Sequence, residues 1–318
     1  MMLKKVLPVV ALVCAVALVG FKSGKEGAKV IELTETDVDD RYYFEYDSAL
    51  PLPDGFTPVG GQLSKNGKKL FVALEDKNGT RQAYVMVRES LFDSFGKPER
   101  LAGKINDLNY RISSLSATSD EKVVVFVGNE TGQENGEELY TAIRTVLGRY
   151  DNIRKVDEIN SEDIADISPW ISDDGLRLYF TKKVNGEYNW YWAYRFDVYG
   201  KFKKMRTASF EATHKASKST LQFLNREKEA LTLSGNEVFV SYRRSVYELF
   251  PPLMQVHLEN QGGEISNISM ADNKLELFAF NTKEDGTVEI HRFVNTSPKA
   301  GMDFNELFEG PEMNIRFY

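Results

Sequence analysis

A short polar turn followed by an alternating apolar strand recurs along this chain, and no other feature restricts the possible folds as strongly. The clearest copy is Ser172–Phe180, Ser-Asp-Asp-Gly-Leu-Arg-Leu-Tyr-Phe, in which Leu178 and Phe180 fall on the same side of the predicted strand. Four further segments repeat the pattern with increasing divergence: Ser64–Val72, Thr232–Val240, Ser116–Phe126 and Ser269–Phe280. The chain therefore contains five copies of one strand-forming unit.

The turn residues of the better copies are interpreted as structural. Short polar side chains bond to their own backbone in tight turns, and glycine adopts the positive φ values that such turns need. Calcium binding and catalysis are weaker interpretations of the same residues. The residues predicted to shape these turns are Ser64, Gly67, Ser172, Asp174, Gly175 and Gly235.

A second marker, a two-residue turn of the Asn-Gly or Asp-Gly type, runs in phase with the first. These dipeptides best tolerate the positive φ values at both central positions of a tight hairpin. Their glycines are Gly79, Gly136, Gly186 and Gly286, at spacings of 57, 50 and 100 residues. The last gap is two periods long, and we expect the missing turn near Arg243-Arg244. Both markers thus agree on a repeat of about fifty residues.

Units of strand, tight turn, strand and linker predict an all-β protein built by radial repetition, a β-propeller of five or six blades. We expect residues 29–318 to form this single domain, because closed all-β folds often use that much chain as one unit. The strand-like segment Tyr42–Tyr46 is the candidate for a sixth, divergent blade. The C-terminal residues Met313–Tyr318 are candidates to pair with it and close the ring.

The segment Ser172–Phe180 resembles the PD40, or WD40-like, β-propeller repeat found in the C-terminal domain of TolB and in many bacterial envelope proteins. That repeat reads approximately Ser-Pro-Asp-Gly-Lys-x-(Leu/Ile)-x-Phe, and this chain departs from it at Asp173, where the family usually has proline. The resemblance covers residues 55–295 and extends to the repeat class, not to TolB itself. It implies a propeller that works in the cell envelope.

The first residues have the pattern of a secretory signal peptide. Lys4 and Lys5 precede the uncharged apolar run Val6–Phe21, whose 16 residues are fewer than the roughly 20 needed to span a bilayer. We therefore predict a signal peptide at residues 1–23, with an uncertain cleavage point and an uncleaved anchor as the alternative. After cleavage we expect no stable membrane span, and a location in the periplasm, at the outer membrane or on the cell surface. The one cysteine, Cys14, lies in this run, so no disulfide is expected in the exported protein.

Composition and motifs argue against several function classes. A formal net charge of −7 is unfavourable for binding nucleic acid. The three histidines, His214, His257 and His291, lack the spacing of metal ligands, and the chain has no nucleophile elbow, cysteine nucleophile or phosphate-binding glycine loop. We accordingly predict no metal, no cofactor and no catalytic residue, although a propeller can assemble a site from several blades without a contiguous motif.

One segment is unusually aromatic. In a strand, Tyr188, Trp190, Trp192 and Tyr194 share one side, and such a stripe can stack against sugar rings. Packing between blades is the competing and stronger interpretation, since both faces of a blade are buried and large aromatic side chains fill that space.

The function predicted from the sequence is that of an exported, non-enzymatic protein-binding or scaffold module of the bacterial envelope. The alternative is a propeller that binds or hydrolyses glycans at its central channel, for which two carboxylates would have to face the channel.

Overall fold

The predicted strands pair into five four-stranded antiparallel blades, and in the first four the strands follow chain order. The computed structural model describes residues 38–301 except 108–109, 131–136, 161–167, 185–186, 208–219, 247 and 260–261. Within these residues there are twenty strands and one short helix, α1 (Lys104–Asp107). No helix in this described part is long and apolar enough to cross a membrane.

The first four blades follow one another along the chain. Blade one contains β2 (Phe56–Leu63), β3 (Lys69–Asp76), β4 (Arg81–Val87) and β5 (Glu99–Arg100). Blade two contains β6 (Tyr110–Ala117), β7 (Val123–Glu130), β8 (Glu138–Arg144) and β9 (Tyr150–Lys155). Blade three contains β10 (Trp170–Ile171), β11 (Arg177–Val184), β12 (Glu187–Tyr194) and β13 (Lys203–Thr207). Blade four contains β14 (Leu221–Leu224), β15 (Glu229–Ser234), β16 (Glu237–Tyr242) and β17 (Met254–Leu258).

The fifth blade combines the two ends of the described chain. Its inner strands are β18 (Glu264–Met270), β19 (Glu276–Thr282) and β20 (Val288–Asn295), and its outer strand is the first strand, β1 (Val38–Ala49). Strand β1 pairs antiparallel with β20 and parallel with β17, so that blades four and five form one eight-stranded sheet. Tyr42–Tyr46 therefore completes blade five instead of forming a sixth blade, and Met313–Tyr318 lies outside the described residues.

Side chains between neighbouring blades form the core. Five buried clusters fill the five interfaces, and the seam between blades four and five contains Tyr42, Phe44, Leu231, Ile268 and Phe293. Blades buried on both faces have continuous apolar strands, and all five residues of the run 70–74 in β3 are buried. This packing explains why strict alternation is weak in the second strand of each blade.

The fourth repeat has a different register from the one predicted. Gly235 lies between β15 and β16, which is the position of Asn78-Gly79 between β3 and β4. The counterpart of Ser64–Gly67 is instead the segment 224–227, Leu-Asn-Arg-Glu, between β14 and β15. Arg243-Arg244 follows β16 and is not the missing hairpin turn. The prediction was wrong here because the segment 224–227 contains neither the Ser nor the Gly of the other copies.

Candidate functional site at the channel mouth

The turn between the first and second strands, here called the first turn, has a left-handed residue at the same position in all five blades, and in blade four Asn225 and Arg226 are left-handed as well. Its fourth residue has positive φ in every blade: Gly67 (72°), Glu121 (59°), Gly175 (69°), Glu227 (66°) and Lys274 (58°). In blade three the Ser172 hydroxyl donates to Asp174 at 2.6 Å, and Asp174 accepts the Leu176 N–H at 2.9 Å. Although burial opposes it, this hydrogen bonding holds the pKa of Asp174 below its usual value. Ser172 and Asp174 thus close the turn.

The other predicted turn residues divide between two positions. Ser64 and Gly67 form the first turn of blade one, where the Lys69 N–H donates to the Ser64 hydroxyl at 2.9 Å. Gly79 and Gly286 have φ values of 78° and 84° in the hairpins between second and third strands. Gly136 and Gly186 lie outside the described residues.

Ion pairs connect the first turns around the ring. The contact is made by the side chain two residues after the fourth residue of the turn. Lys69 of blade one contacts Glu121, the fourth turn residue of blade two, and Arg177 of blade three contacts Glu227, the fourth turn residue of blade four. The same contact in reversed polarity joins Glu229 to Lys274 at 2.6 Å, where both side chains are buried. Burial raises the pKa of Glu229. These pairs fix neighbouring blades at the end of the ring where the first turns lie.

The remaining two interfaces have a glycine at the fourth turn position, so that residue forms no ion pair and other side chains make the contact between the blades. Val123 of blade two lies beside Gly175, so this junction is apolar. Glu276 of blade five reaches the space beside Gly67 and pairs there with Arg88. All five interfaces therefore use the same two positions of the repeat.

A buried arginine after the third strand supports the first turn in three blades. The Nε groups of Arg88, Arg195 and Arg243 donate to the carbonyls of the fourth turn residues at 2.8, 2.7 and 2.9 Å. Each guanidinium lies over the ring of a phenylalanine seven residues later: Phe95, Phe202 and Phe250. Burial lowers the pKa of Arg195 to about 10. The sequence analysis missed these arginines, although Arg followed seven residues later by Phe recurs in the chain.

The first turns surround a cavity of about 280 Å³ at one mouth of the central channel. Every blade contributes to its lining, including Lys65, Ser119, Asp173, Arg226 and Asp272. Deeper in the channel, among the first strands, the free space falls to about 10 Å³. The mouth is therefore a preformed recess, much larger than the cavity among the first strands.

Lys65 binds two carboxylates from different blades. Its Nζ lies 2.6 Å from an Asp173 oxygen and 3.3 Å from an Asp272 oxygen, so these oxygens are less than about 6 Å apart. Burial disfavours the Lys65 ammonium, but both carboxylates outweigh that effect and raise its pKa. Burial raises the pKa of Asp272, and the Ser119 hydroxyl donates to Asp173. Blades one, two, three and five are thereby connected across the mouth.

The rest of the lining combines charge with aromatic surface. Arg177 binds Glu227, whose other contact is the Tyr179 hydroxyl at 2.8 Å. Trp170 and Phe223 form an apolar wall. Arg226 is exposed at the rim. The recess is suited to a ligand group that carries charge and some apolar surface.

The predicted aromatic stripe does not line this cavity. Trp190 is 7% exposed and packs with Trp170, Phe223 and Phe239 in the cluster between blades three and four, and Trp192 packs against the same cluster. Tyr194 lies opposite Arg177 in the β11–β12 pair. The position of the Tyr188 side chain is outside the described part. Trp190 and Trp192 thus contact protein at a blade interface, and Tyr194 contacts Trp192 and Phe196 of its own blade.

The histidines also remain apart. His257 stacks on Tyr43, His291 is buried beside Glu289, and His214 lies outside the described residues. Within the described ranges no group of His, Cys, Asp and Glu side chains is arranged to hold a metal ion.

No protein-family model and no curated protein sequence matches this chain. Among solved structures it is similar to CoXyl43, a GH43 β-xylosidase/α-arabinofuranosidase from a compost microbial metagenome, with a TM-score of 0.51 and 11% identity over 78% of this chain and 93% of that one. It is also similar to the catalytic domain of the Coprinopsis cinerea GH62 α-L-arabinofuranosidase, with a TM-score of 0.51 and 9% identity over 81% of this chain and 98% of that one.

TolB from Acinetobacter baumannii matches with a TM-score of 0.42 and 12% identity over 74% of this chain, and the match spans 54% of TolB. At these identities the comparisons concern fold alone. Together with the five blades, the two glycosidase structures show that the chain is a β-propeller.

Proposed function

We propose that this protein is an exported, non-enzymatic, protein-binding module of the bacterial cell envelope, with a PD40-type propeller whose channel mouth is the binding site. The predicted signal peptide at residues 1–23 motivates export to the periplasm, outer membrane or cell surface. The envelope role is suggested by the repeat resemblance. The site itself is argued from the geometry of the mouth.

The observation that carries the proposal is the bridge from Lys65 to Asp173 and Asp272. A general acid or base must exchange a proton with its substrate, and both carboxylates here are held by an ammonium group. A preformed, mixed-charge recess built from all five blades instead offers fixed partners to an incoming charged side chain. Rigid rings with variable turns suit this use because turn residues can change without disturbing the core.

The test begins with affinity capture of the tagged full-length protein from crosslinked cells and identification of a near-stoichiometric protein. That purified protein is then titrated against Ser119→Trp, which places an indole in the cavity, and against Lys77→Trp, an exposed control on the opposite face. We expect Ser119→Trp to weaken binding by about 30-fold, and Lys77→Trp to change it less than twofold. Finding no partner, or one that binds both variants equally, would contradict the proposal.

Glycan hydrolysis is the second candidate, favoured by the closeness of Asp173 and Asp272. A separation below about 6 Å includes the roughly 5–5.5 Å between the carboxyl groups of retaining glycosidases. The purified protein is assayed against aryl β-xylosides, α-arabinofuranosides and β-glucosides, with Asp272→Asn as the control for a true site. Turnover that disappears in Asp272→Asn would replace the binding proposal with this one.

A further inference from the structure

The third residue of the first turn closes the turn in four blades and is an arginine in the other. In the four blades it is Asn or Asp, and its side-chain oxygen accepts the N–H two residues later at 2.9–3.0 Å: Asn66, Asp120, Asp174 and Asn273. Arg226 has this position in blade four, and a guanidinium group cannot accept a hydrogen bond. Blade four has therefore lost the side-chain hydrogen bond that closes the turn elsewhere.

Arg226 also lies in the most strained of the five first turns. Asn225, Arg226 and Glu227 have φ values of 48°, 53° and 66°, whereas each of the other first turns has one left-handed residue. This conformation is unfavourable for residues with a Cβ atom and normally occurs singly. Strained backbone is concentrated at functional sites. Because an arginine at this position helps neither the turn nor the backbone, its side chain is a candidate for function.

The charges of the recess leave this arginine without a counter-charge. Four carboxylates line the recess, and each accepts at least two contacts from donors of the described chain: Asp173, Asp174, Glu227 and Asp272. The lining cations Lys65 and Arg177 are among those donors. Arg226 is the third cation of the lining, is exposed, and has no ion pair or side-chain hydrogen bond with another described residue.

The charges behind the lining make this excess net positive. The lining alone has three cations and four carboxylates, but the buried guanidinium groups of Arg195 and Arg243 interact electrostatically with Asp174 and Glu227. The two further charged groups that act on Arg195 are of opposite sign and cancel. Five cations thus share four carboxylates, and the unshared charge is that of Arg226.

Charges farther from the recess do not reverse this preference. In an antiparallel blade, the connection from the third strand to the fourth lies at the same end as the first turn. These connections carry exposed charges of both signs, among them Asp93, Lys97, Lys203 and Arg244. The recess is therefore matched to an anionic group, and a carboxylate can accept two parallel hydrogen bonds from one guanidinium.

A second group without a partner lies deeper in the recess. Gln62 lines both the recess and the small cavity below it, and its carboxamide has no hydrogen-bond partner in the described chain. The Oε1 atom is buried, and a buried acceptor of this kind is costly unless a donor reaches it. A peptide N–H beside the bound carboxylate is such a donor. Trp170 and Phe223 offer apolar surface to the rest of that residue.

We propose that the channel mouth binds a carboxylate of the protein partner, from an Asp or Glu side chain or from a C terminus. Arg226 pairs with the carboxylate, Gln62 accepts a neighbouring N–H, and the wall of Trp170 and Phe223 contacts the adjoining apolar atoms. This inference rests on the proposed function and adds the chemistry of the group that the recess receives.

The first experiment titrates Arg226 variants with the protein captured with the full-length chain. Arg226→Asn restores the residue of blades one and five and tolerates the left-handed conformation, so its unfolding midpoint should equal or exceed that of wild type. We expect its Kd to rise by about 30-fold, and Arg226→Lys to stay within about fivefold of wild type because it keeps the charge.

Lys68→Asn is the matched control. Lys68 is an exposed cation in the first turn of blade one, has no ion pair with a described residue and does not line the recess. We expect this variant to bind within about twofold of wild type. Equal binding by wild type and Arg226→Asn would overturn the inference, and if Ser119→Trp still blocks that partner the proposed function stands.

The second experiment does not need the partner. N-acetyl-L-phenylalanine and its neutral amide are titrated into the full-length protein, with the Trp170 indole signal in NMR as the readout. We expect the acid to bind at least about fivefold more tightly than the amide, and this difference to disappear in Arg226→Asn. An amide that binds wild type as tightly as the acid would contradict the inference. Selective binding of the acid without any captured protein would refute the proposed function alone.

A third titration identifies the source of the carboxylate. The captured protein is extended by Gly-Ser at its C terminus, which displaces the terminal carboxylate. Loss of binding assigns the group to the C terminus, whereas retained binding that still depends on Arg226 assigns it to an Asp or Glu side chain. Retained binding that is independent of Arg226 would overturn the inference.

Discussion

At the scale of single residues, the left-handed position of the first turn shows how a strained conformation is retained. Glutamate and lysine at positive φ cost about 1–2 kcal/mol relative to glycine. In blades two, four and five those side chains form ion pairs with the neighbouring blade, which glycine does not supply. At this position glycine therefore avoids the conformational cost of a positive φ, whereas a charged residue accepts that cost and adds an ion pair with the neighbouring blade.

Replacing Glu227 with glycine should lower stability despite relieving that strain. The substitution leaves Arg177 and the Tyr179 hydroxyl without their acceptor, and we expect a net loss of about 1–2 kcal/mol. The matched change Glu121→Gly removes contacts to the more exposed Lys69 and Arg144 and should stay within about 0.5 kcal/mol of wild type. Urea unfolding measures both, and an increase in stability for Glu227→Gly would refute the role of the pair.

The buried arginines should matter far more than an exposed one at the same repeat position. Arg195→Ala removes the hydrogen bond to Gly175 and the contact with Phe202, and we expect a loss of about 2–4 kcal/mol. Arg144 occupies the equivalent position in blade two with its side chain 41% exposed, and Arg144→Ala should cost less than about 1 kcal/mol. Equal shifts in the melting temperature of the two variants would show that the arginine is not a structural element of the repeat.

At the scale of elements, the strand that closes the ring, β1, is not part of any of the five sequence repeats. Strand β1 places Tyr42 and Phe44 in the seam between blades four and five and leaves Glu45 in solvent. It pairs with the outer strand of blade four and with the third strand of blade five, so its pairing removes two exposed sheet edges at once. The seam is thus where the ring depends on a distant part of the chain.

Phe44→Ala should destabilise the whole ring, because it empties a fully buried site at this seam. We expect a loss of about 3–5 kcal/mol, compared with less than about 0.5 kcal/mol for its neighbour Glu45→Ala. The two variants are compared by denaturant midpoint. A small effect of Phe44→Ala would mean that β1 is not an integral strand of the fifth blade.

Much of the fold follows from local patterns, and the failures have identifiable causes. Turns such as Ser172–Gly175 and hairpins such as Asn78-Gly79 carry their conformation in their own residues, so the β-propeller and its repeat length are predictable. The pairing of β1 with β17 and β20 joins residues far apart in the chain, and no local pattern encodes it. In blade four, Leu224–Glu227 keeps the turn through tertiary contacts after losing its sequence signature.

The candidate site was less predictable than the fold. Trp190 was a candidate because an indole ring can stack against a sugar. It lies in a strand that is buried on both faces, and its side chain packs in the core between two blades. Lys65, Asp173 and Asp272 are ordinary turn residues in the sequence, and only closure of the ring brings them together. A repeat-by-repeat comparison of the second turn position would have found them, given the correct register.

At the scale of the whole molecule, the two faces of the ring differ. One face carries the channel mouth and the interblade ion pairs, whereas the other carries the hairpins at Gly79, Gly235 and Gly286. A ring with one specialised face is expected to engage its partner in a single orientation. The central claim is therefore about which face binds.

Hydrogen–deuterium exchange of the full-length protein with and without its captured partner tests that claim most directly. We predict slower exchange in the first turns, residues 64–68, 118–122, 172–176 and 271–275. Exchange in the hairpins at 77–80 and 283–287 should not change. Protection confined to those hairpins, with the first turns unaffected, would contradict the account.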